Sequence, residues 1–169
     1  ITSDMLIDEL SILNSLNLNN FFPEINEDII FLDNKLSIIF KDDNFDINGK
    51  GDILYQNERD KLNFSIDNKD KNLNFKSSLR IKKNPFFIDF LNYKKNEKVE
   101  TLIEFQGSKN KKNRTLIKSL SLKEDENIII FQNLSFNKKL DIIRLDEVRL
   151  NYIDKDKQKN ILNFKKKKD

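Results

Sequence analysis

The stretch IIFLDNKLSIIFKDDNFDINGKGDILYQ, residues 29–56, decides the fold. Leu36, Ile38 and Phe40 recur at every second position, Asp42 and Asp43 interrupt, and Phe45, Ile47, Ile53 and Tyr55 resume the alternation. Gly49 and Gly51 share the parity of that second set. A period of two turns one face of a strand toward something apolar and the other toward water. The pattern extends in Leu62, Phe64 and Ile66, then Leu73, Phe75, Leu79 and Ile81, then Val99, Ile103 and Phe105. Candidate strands lie at roughly 27–32, 35–41, 44–56, 61–67, 72–82, 86–92, 98–107, 114–122, 127–136 and 141–153. The connectors are short and rich in Asn, Asp and Lys, which is turn chemistry. Strands joined by such turns pair antiparallel, because parallel pairs need long crossovers. The expected fold is all-β, a long antiparallel meander.

Residues 1–20 read differently, as a short helical lead-in to the sheet of 21–169. Leu6, Leu10, Leu13 and Leu16 or Asn17 recur every three to four residues, and Ser3 or Asp4 can cap the free amides. Asn17, Asn19 and Asn20 close this segment, and Pro23 holds Phe22 extended. Gly49 and Gly51, lying mid-strand, mark a bulge or bend, or a gap where a ligand approaches the backbone.

Composition narrows the chemistry. The 169 residues carry no Cys, His or Trp, so the usual thiol, zinc, iron–sulfur and haem chemistries lack their ligands. Lys, Asn and Ile dominate, a bias that AT-rich codons produce. Cations (31) and anions (28) interleave, giving a mixed solvated surface rather than a nucleic-acid-binding stripe. No apolar run approaches the ~20 residues that span a bilayer. The chain starts at Ile1 rather than Met, which reads as an internal piece of a larger protein. There is no His to act as base, no Cys nucleophile and no phosphate-cradling glycine loop, so no enzyme and no cofactor is expected. Asp42 with Asp43, Glu124 with Asp125 and Glu126, and Asp146 with Glu147 read as solvated turn positions, with a glycosidase-type pair or a Ca²⁺ site as the alternative. Lys109 to Arg114 and Lys165 to Lys168 read as charged loop and tail, with anionic lipid headgroups or nucleic acid as the sharper alternative.

The apolar parity is the feature with functional content. Its candidate lining residues are Phe40, Phe45, Ile47, Phe64, Ile66, Phe75, Leu79, Ile103, Phe105, Leu120, Ile128, Ile130 and Leu150. At 37% hydrophobic residues the chain is thin for two buried layers, and no helical pattern supplies a cover. A sheet curved into an open groove would keep this face available to an apolar ligand such as an acyl chain. A closed lipid-binding barrel that shuttles its cargo, or a ligand-free structural or adhesive β-domain, are the alternatives.

Residues 22–55, with their hairpins and the Gly-Lys-Gly strand, resemble the AsmA-like superfamily, in particular the YhdP-type branch related to TamB. DKLNFSIDNKDKNLNFKSSLRI (60–81) and LDEVRLNYIDKDKQKNILNFKKKKD (145–169) continue in the same style. The resemblance implies a non-catalytic section of an envelope-spanning β-groove. It further implies phospholipid acyl chains as cargo and a role in outer-membrane biogenesis. The segment would be the periplasmic portion of an inner-membrane-anchored protein, reaching inner and outer membranes through parts outside it.

Overall fold

A computed structural model describes residues 1–15, 18–111, 114–136 and 142–167. Among the described residues thirteen strands follow in chain order. They are β1 (Thr2–Leu13), β2 (Asp28–Lys41), β3 (Asn44–Leu54), β4 (Arg59–Lys69), β5 (Asn72–Ile81), β6 (Phe87–Ile88), β7 (Tyr93–Lys94), β8 (Thr101–Lys109), β9 (Thr115–Glu124), β10 (Asn127–Phe136), β11 (Ile142–Arg144), β12 (Glu147–Ile153) and β13 (Lys159–Lys165). Eleven of them form one sheet in the order β1-β2-β3-β4-β5-β8-β9-β10-β12-β13, with β11 paired to the far end of β10. Every pairing is antiparallel. β1 and β13 do not pair, so the sheet is not closed into a barrel.

Tight turns carry the meander. Asp70 and Lys71 join β4 to β5 with both residues at positive φ, the mirror-image turn whose twist matches that of the strands. Asp42 and Asp125 take positive φ in the β2–β3 and β9–β10 turns. Asp and Asn tolerate this conformation better than other side chains. No glycine has positive φ, so the three glycines serve the strands instead.

Residues Thr2–Leu13 are a strand, not the expected helix. β1 lies along β2, pairing Met5 with Leu36, Ile7 with Asn34, and Leu10 with Phe31. The register of β2 against β3 slips between Leu32 and Lys35, where Asp33 adopts φ 52°. That bulge switches the parity of β2, and β1 copies it. The inward apolar residues of β1 are therefore spaced two, three, two (Met5, Ile7, Leu10, Ile12), which imitates helical periodicity. The free edge of β2 then decides the matter, since pairing along a whole strand outweighs weak local propensity. Leu16 and Asn17 lie outside the described residues.

Three further boundaries differ from the sequence reading. Residues 27–32 and 35–41 are one bulged strand, β2. Residues 86–92 do not join the sheet; β6, a 3-10 turn (Asp89–Leu91) and β7 fold into a small hairpin. β13, beyond residue 153, extends the sheet by one more strand.

The core gathers at one end of the strands. Ile81, Leu122, Ile129, Val148, Leu150 and Tyr152 from the sheet pack with Phe86, Ile88 and Tyr93 from the segment between β5 and β8. Phe22 joins from the β1–β2 connection, with its ring edge-on to Tyr55 (5.0 Å) and tilted against Phe86 (5.2 Å).

Candidate functional site: a half-covered apolar face

Directly paired residues project to the same face of a sheet. Following the pairs strand to strand traces one row: Met5, Leu36, Gly49, Phe64, Ser77, Phe105, Leu120, Phe131, Val148, Phe164. Eight of its ten members are large and apolar. The row beside it runs Ile38, Ile47, Ile66, Phe75, Gly107, Ile117, Leu134. On the opposite face the matching row is Lys50, Asn63, Ser78, Glu104, Ser121, Ile130, Arg149, Asn163.

The structure divides the candidate lining residues into three groups. Phe64, Phe105 and Leu120 share the first row, Ile47, Ile66 and Phe75 the second, and Phe40 and Phe45 pair beyond them. Leu79, Ile103 and Leu150 lie on the same face but under the covering segment, packed with the core. Ile128 and Ile130 fall on the opposite face, paired with Lys123 and Ser121. In the run Ile128-Ile129-Ile130 it is Ile129 that turns inward, 2% exposed. Phe131 has the same parity as Ile129 and was the signal to follow. Asn133, at φ 53°, switches the parity again, so that Leu134 does face the apolar side.

The glycines complete the floor of this face. The Phe64 ring lies over Gly49, the Asn34 side chain over Gly51 and the Phe75 ring over Gly107. The space above each glycine is thus filled by a neighbouring side chain, the use of aromatic rings to cover strand glycines. The expected structural irregularity is present opposite Gly51, where the β2–β3 register shifts between Leu32 and Lys35, and the space above both glycines is filled by side chains. Phe75 and Phe105 stack with ring centroids 5.2 Å apart.

The cover at the other end is held by two buried carboxylates. Asp60, 1% exposed, accepts hydrogen bonds from the Tyr55 hydroxyl, the Asn84 side-chain amide and the Lys82 amide, each at 2.8 Å. Glu124, also 1% exposed, accepts from the Tyr93 hydroxyl and from the Asn96 amide at 2.5 Å. Glu124 therefore departs from the solvated turn expected of its cluster, because a tyrosine and a backbone amide from the covering segment satisfy it. Burial first, then the adjoining carboxylates, push the Tyr55 and Tyr93 hydroxyls far above the ordinary tyrosine value. Lys95, 2% exposed, donates to the carbonyls of Lys82, Asn96 and Val99. Burial lowers its pKa, opposed by Glu124, Asp60 and Glu97. At the tip, Tyr152 donates to the Leu91 carbonyl (2.7 Å) and Asn92 to Asp156 (2.7 Å), which ties the cover to the β12–β13 turn.

The other end of the strands carries no such cover. The side chains there are half-buried, and Phe40 is 48% exposed. Its turns bear Lys41, Lys69, Lys71, Lys109, Lys111 and Arg114, none of which forms an ion pair among the described residues. Elsewhere Arg59, Lys61, Arg80, Lys83 and Lys123 are each paired with an acid, while Lys50, Lys76, Lys98 and Lys155 form no ion pair among the described residues. Among the described residues no three acids or other ligating side chains converge as a metal site would, and no helix is long and apolar enough to cross a membrane. No family model matches the chain, and no curated protein or solved structure matches it either.

Proposed function

We propose that this sheet is curved into an open groove and carries phospholipid acyl chains along its uncovered apolar strip. It would form one section of a non-catalytic bridge across a bacterial cell envelope. In this reading the segment is the periplasmic portion of an inner-membrane-anchored protein, and regions outside the segment reach the two membranes. The observation that carries the reading is the row from Met5 to Phe164, with large apolar side chains at eight of its ten positions, of which only Phe131 and Val148 pack with the core. At about 4.8 Å between strands, ten strands extend the strip for about 45 Å, longer than the roughly 30 Å hydrocarbon core of a bilayer. An apolar strip of that length left to water is costly, and each buried methylene of an acyl chain contributes about 0.8 kcal/mol. The unpaired cations of the uncovered margin suit phosphate-bearing headgroups, which would sit in water while the chains lie on the strip.

Purifying the chain from bacterial membranes without detergent and extracting it with organic solvent tests the reading. Native mass spectrometry should find phospholipid bound, and extraction should recover it. Protein that emerges free of lipid, and that takes up none from vesicles of phosphatidylethanolamine and phosphatidylglycerol, would sink the proposal.

A further inference from the structure

We infer that Lys71, Lys109 and Lys111 form a binding site for a phosphate ester at the uncovered margin of the strip. Together with Leu73 and Asn110 they line one concavity of about 300 Å³ between the β4–β5 and β8–β9 turns. No carboxylate lines it, and none of the three lysines forms an ion pair among the described residues. Both turns are held in place. Lys71 adopts φ 63° in the tight β4–β5 turn. In the β8–β9 turn the Asn110 amide donates to the Arg114 carbonyl, and the Arg114 amide to the Asn110 side-chain oxygen, each at 3.1 Å.

Positive charge is concentrated here rather than spread along the margin. Residues 69–71 and 109–114 hold six cations and one acid, Asp70. Around the β2–β3 turn of the same margin, Lys41 stands against Asp42 and Asp43. A second basic concavity contains Arg144, Lys165 and Lys166, but Asp146 and Glu147 line it too and pair with Arg144 and Lys165. Ammonium groups with no carboxylate of their own suit a compact oxyanion, and lysine binds phosphate as a point charge.

The site opens on the apolar face. Leu73 pairs with Asn68 on one side and with Lys109 on the other, so these three project to one face. Phe75 and Gly107 lie two residues further in along the same strands and share that face. Through Asn68 the row continues to Phe45. A phosphate held by the lysines therefore leaves an attached apolar chain beside Leu73 and Phe75. The ligand class is a phosphate monoester or diester, free or carried by a lipid. The apolar chain rests on the proposed function, whereas the lysine site does not.

Soluble probes separate the parts. Glycerol 3-phosphate offers the phosphate alone, dihexanoylphosphatidic acid below its micellar concentration offers phosphate with tails, and dihexanoylglycerol offers tails alone. Amide chemical shifts of the isotope-labelled full chain map where each binds. Both phosphate probes should move the amides of Lys71, Leu73, Lys109 and Lys111. Combining Lys71→Gln, Lys109→Gln and Lys111→Gln should weaken their binding by about tenfold or more. Combining Lys50→Gln, Lys76→Gln and Lys98→Gln removes the same charge elsewhere and should change it by less than about twofold. If neither phosphate probe moves the named amides, or if both triple variants weaken binding alike, the inference fails. If glycerol 3-phosphate binds while dihexanoylglycerol leaves the amides around Phe64 and Phe105 unmoved, the lysine site stands and the acyl-chain reading of the strip falls. Should a triple variant fail to fold, the shift map of the unmodified chain decides.

Discussion

A Cβ atom placed on Gly107 would stand 2.5 Å from the Phe75 ring and 2.7 Å from the Leu116 carbonyl oxygen. Glycine in a strand is ordinarily a weakness, and a β-branched replacement ordinarily helps. Here the ring occupies the room, so Gly107→Val should destabilise the fold by about 1–3 kcal/mol, seen as a lower urea midpoint at unchanged slope. A gain in stability would show that Phe75 does not cover the glycine. Phe64 and Asn63 are neighbours in sequence on opposite faces. Phe64→Asp should abolish recovery of bound phospholipid, and Asn63→Asp should leave it intact, both read by solvent extraction beside a circular dichroism check of folding. Equal effects would argue against a one-sided strip. These residues were legible in the sequence because alternation near Phe64 is clean. Ile128 and Ile130 were not, since three consecutive isoleucines carry no parity of their own and only the partners Lys123 and Ser121 assign it.

At the level of elements, the hairpins of β2 to β5 could be read from their turn residues and periodicity. β1 could not, because a bulge at Asp33 in its partner reshaped its spacing into something helix-like. A strand that inherits a bulge from its neighbour shows that bulge in its own sequence only as an apparent change of period. The covering segment escaped for another reason. Residues 86–92 are apolar enough for a strand, but Ile81 and Thr101 are already paired, which forces everything between them out of the sheet and back over its face. Its anchors make two predictions. Asp60→Ala leaves the donors of Tyr55, Asn84 and Lys82 without their acceptor, and should cost about 3 kcal/mol or more in urea unfolding. The second concerns pH. Tyr55 and Tyr93 have folded pKa values raised above the ordinary 10.0, so the folded state keeps protons that the unfolded state releases. Their contribution is complete below pH 10 and is lost as pH climbs beyond it. Lys95, shifted downward, adds a smaller opposite trend that begins below its ordinary 10.5. Thermal unfolding should therefore show a falling midpoint above pH 10, and the Tyr55→Phe, Tyr93→Phe double variant should flatten that fall.

For the whole molecule, a sheet that grows strand by strand has stability that varies along its length. The buried cluster draws on residues 81 to 152 and on no residue of β1, β2, β3 or β4. Amide hydrogen exchange should then be slowest in β8, β9, β10 and β12 and fastest in β1, with β3 and β4 between. Uniform protection would mean the sheet opens as one unit. The sequence disclosed the meander and its face, whereas the roof over half of that face depends on contacts between distant segments that no local pattern announces.

The single roof has a last consequence. A channel sealed around its whole circumference admits cargo only at its mouths. This sheet is not closed into a barrel, and the turns of its uncovered margin carry Lys41, Lys69, Lys71, Lys109 and Lys111 together with Asp42, Asp43 and Asp70. Under the proposed function an amphiphile would board or leave sideways at any strand, and several would lie abreast like boats along a quay. Capacity would then scale with the number of strands rather than with the number of binding sites.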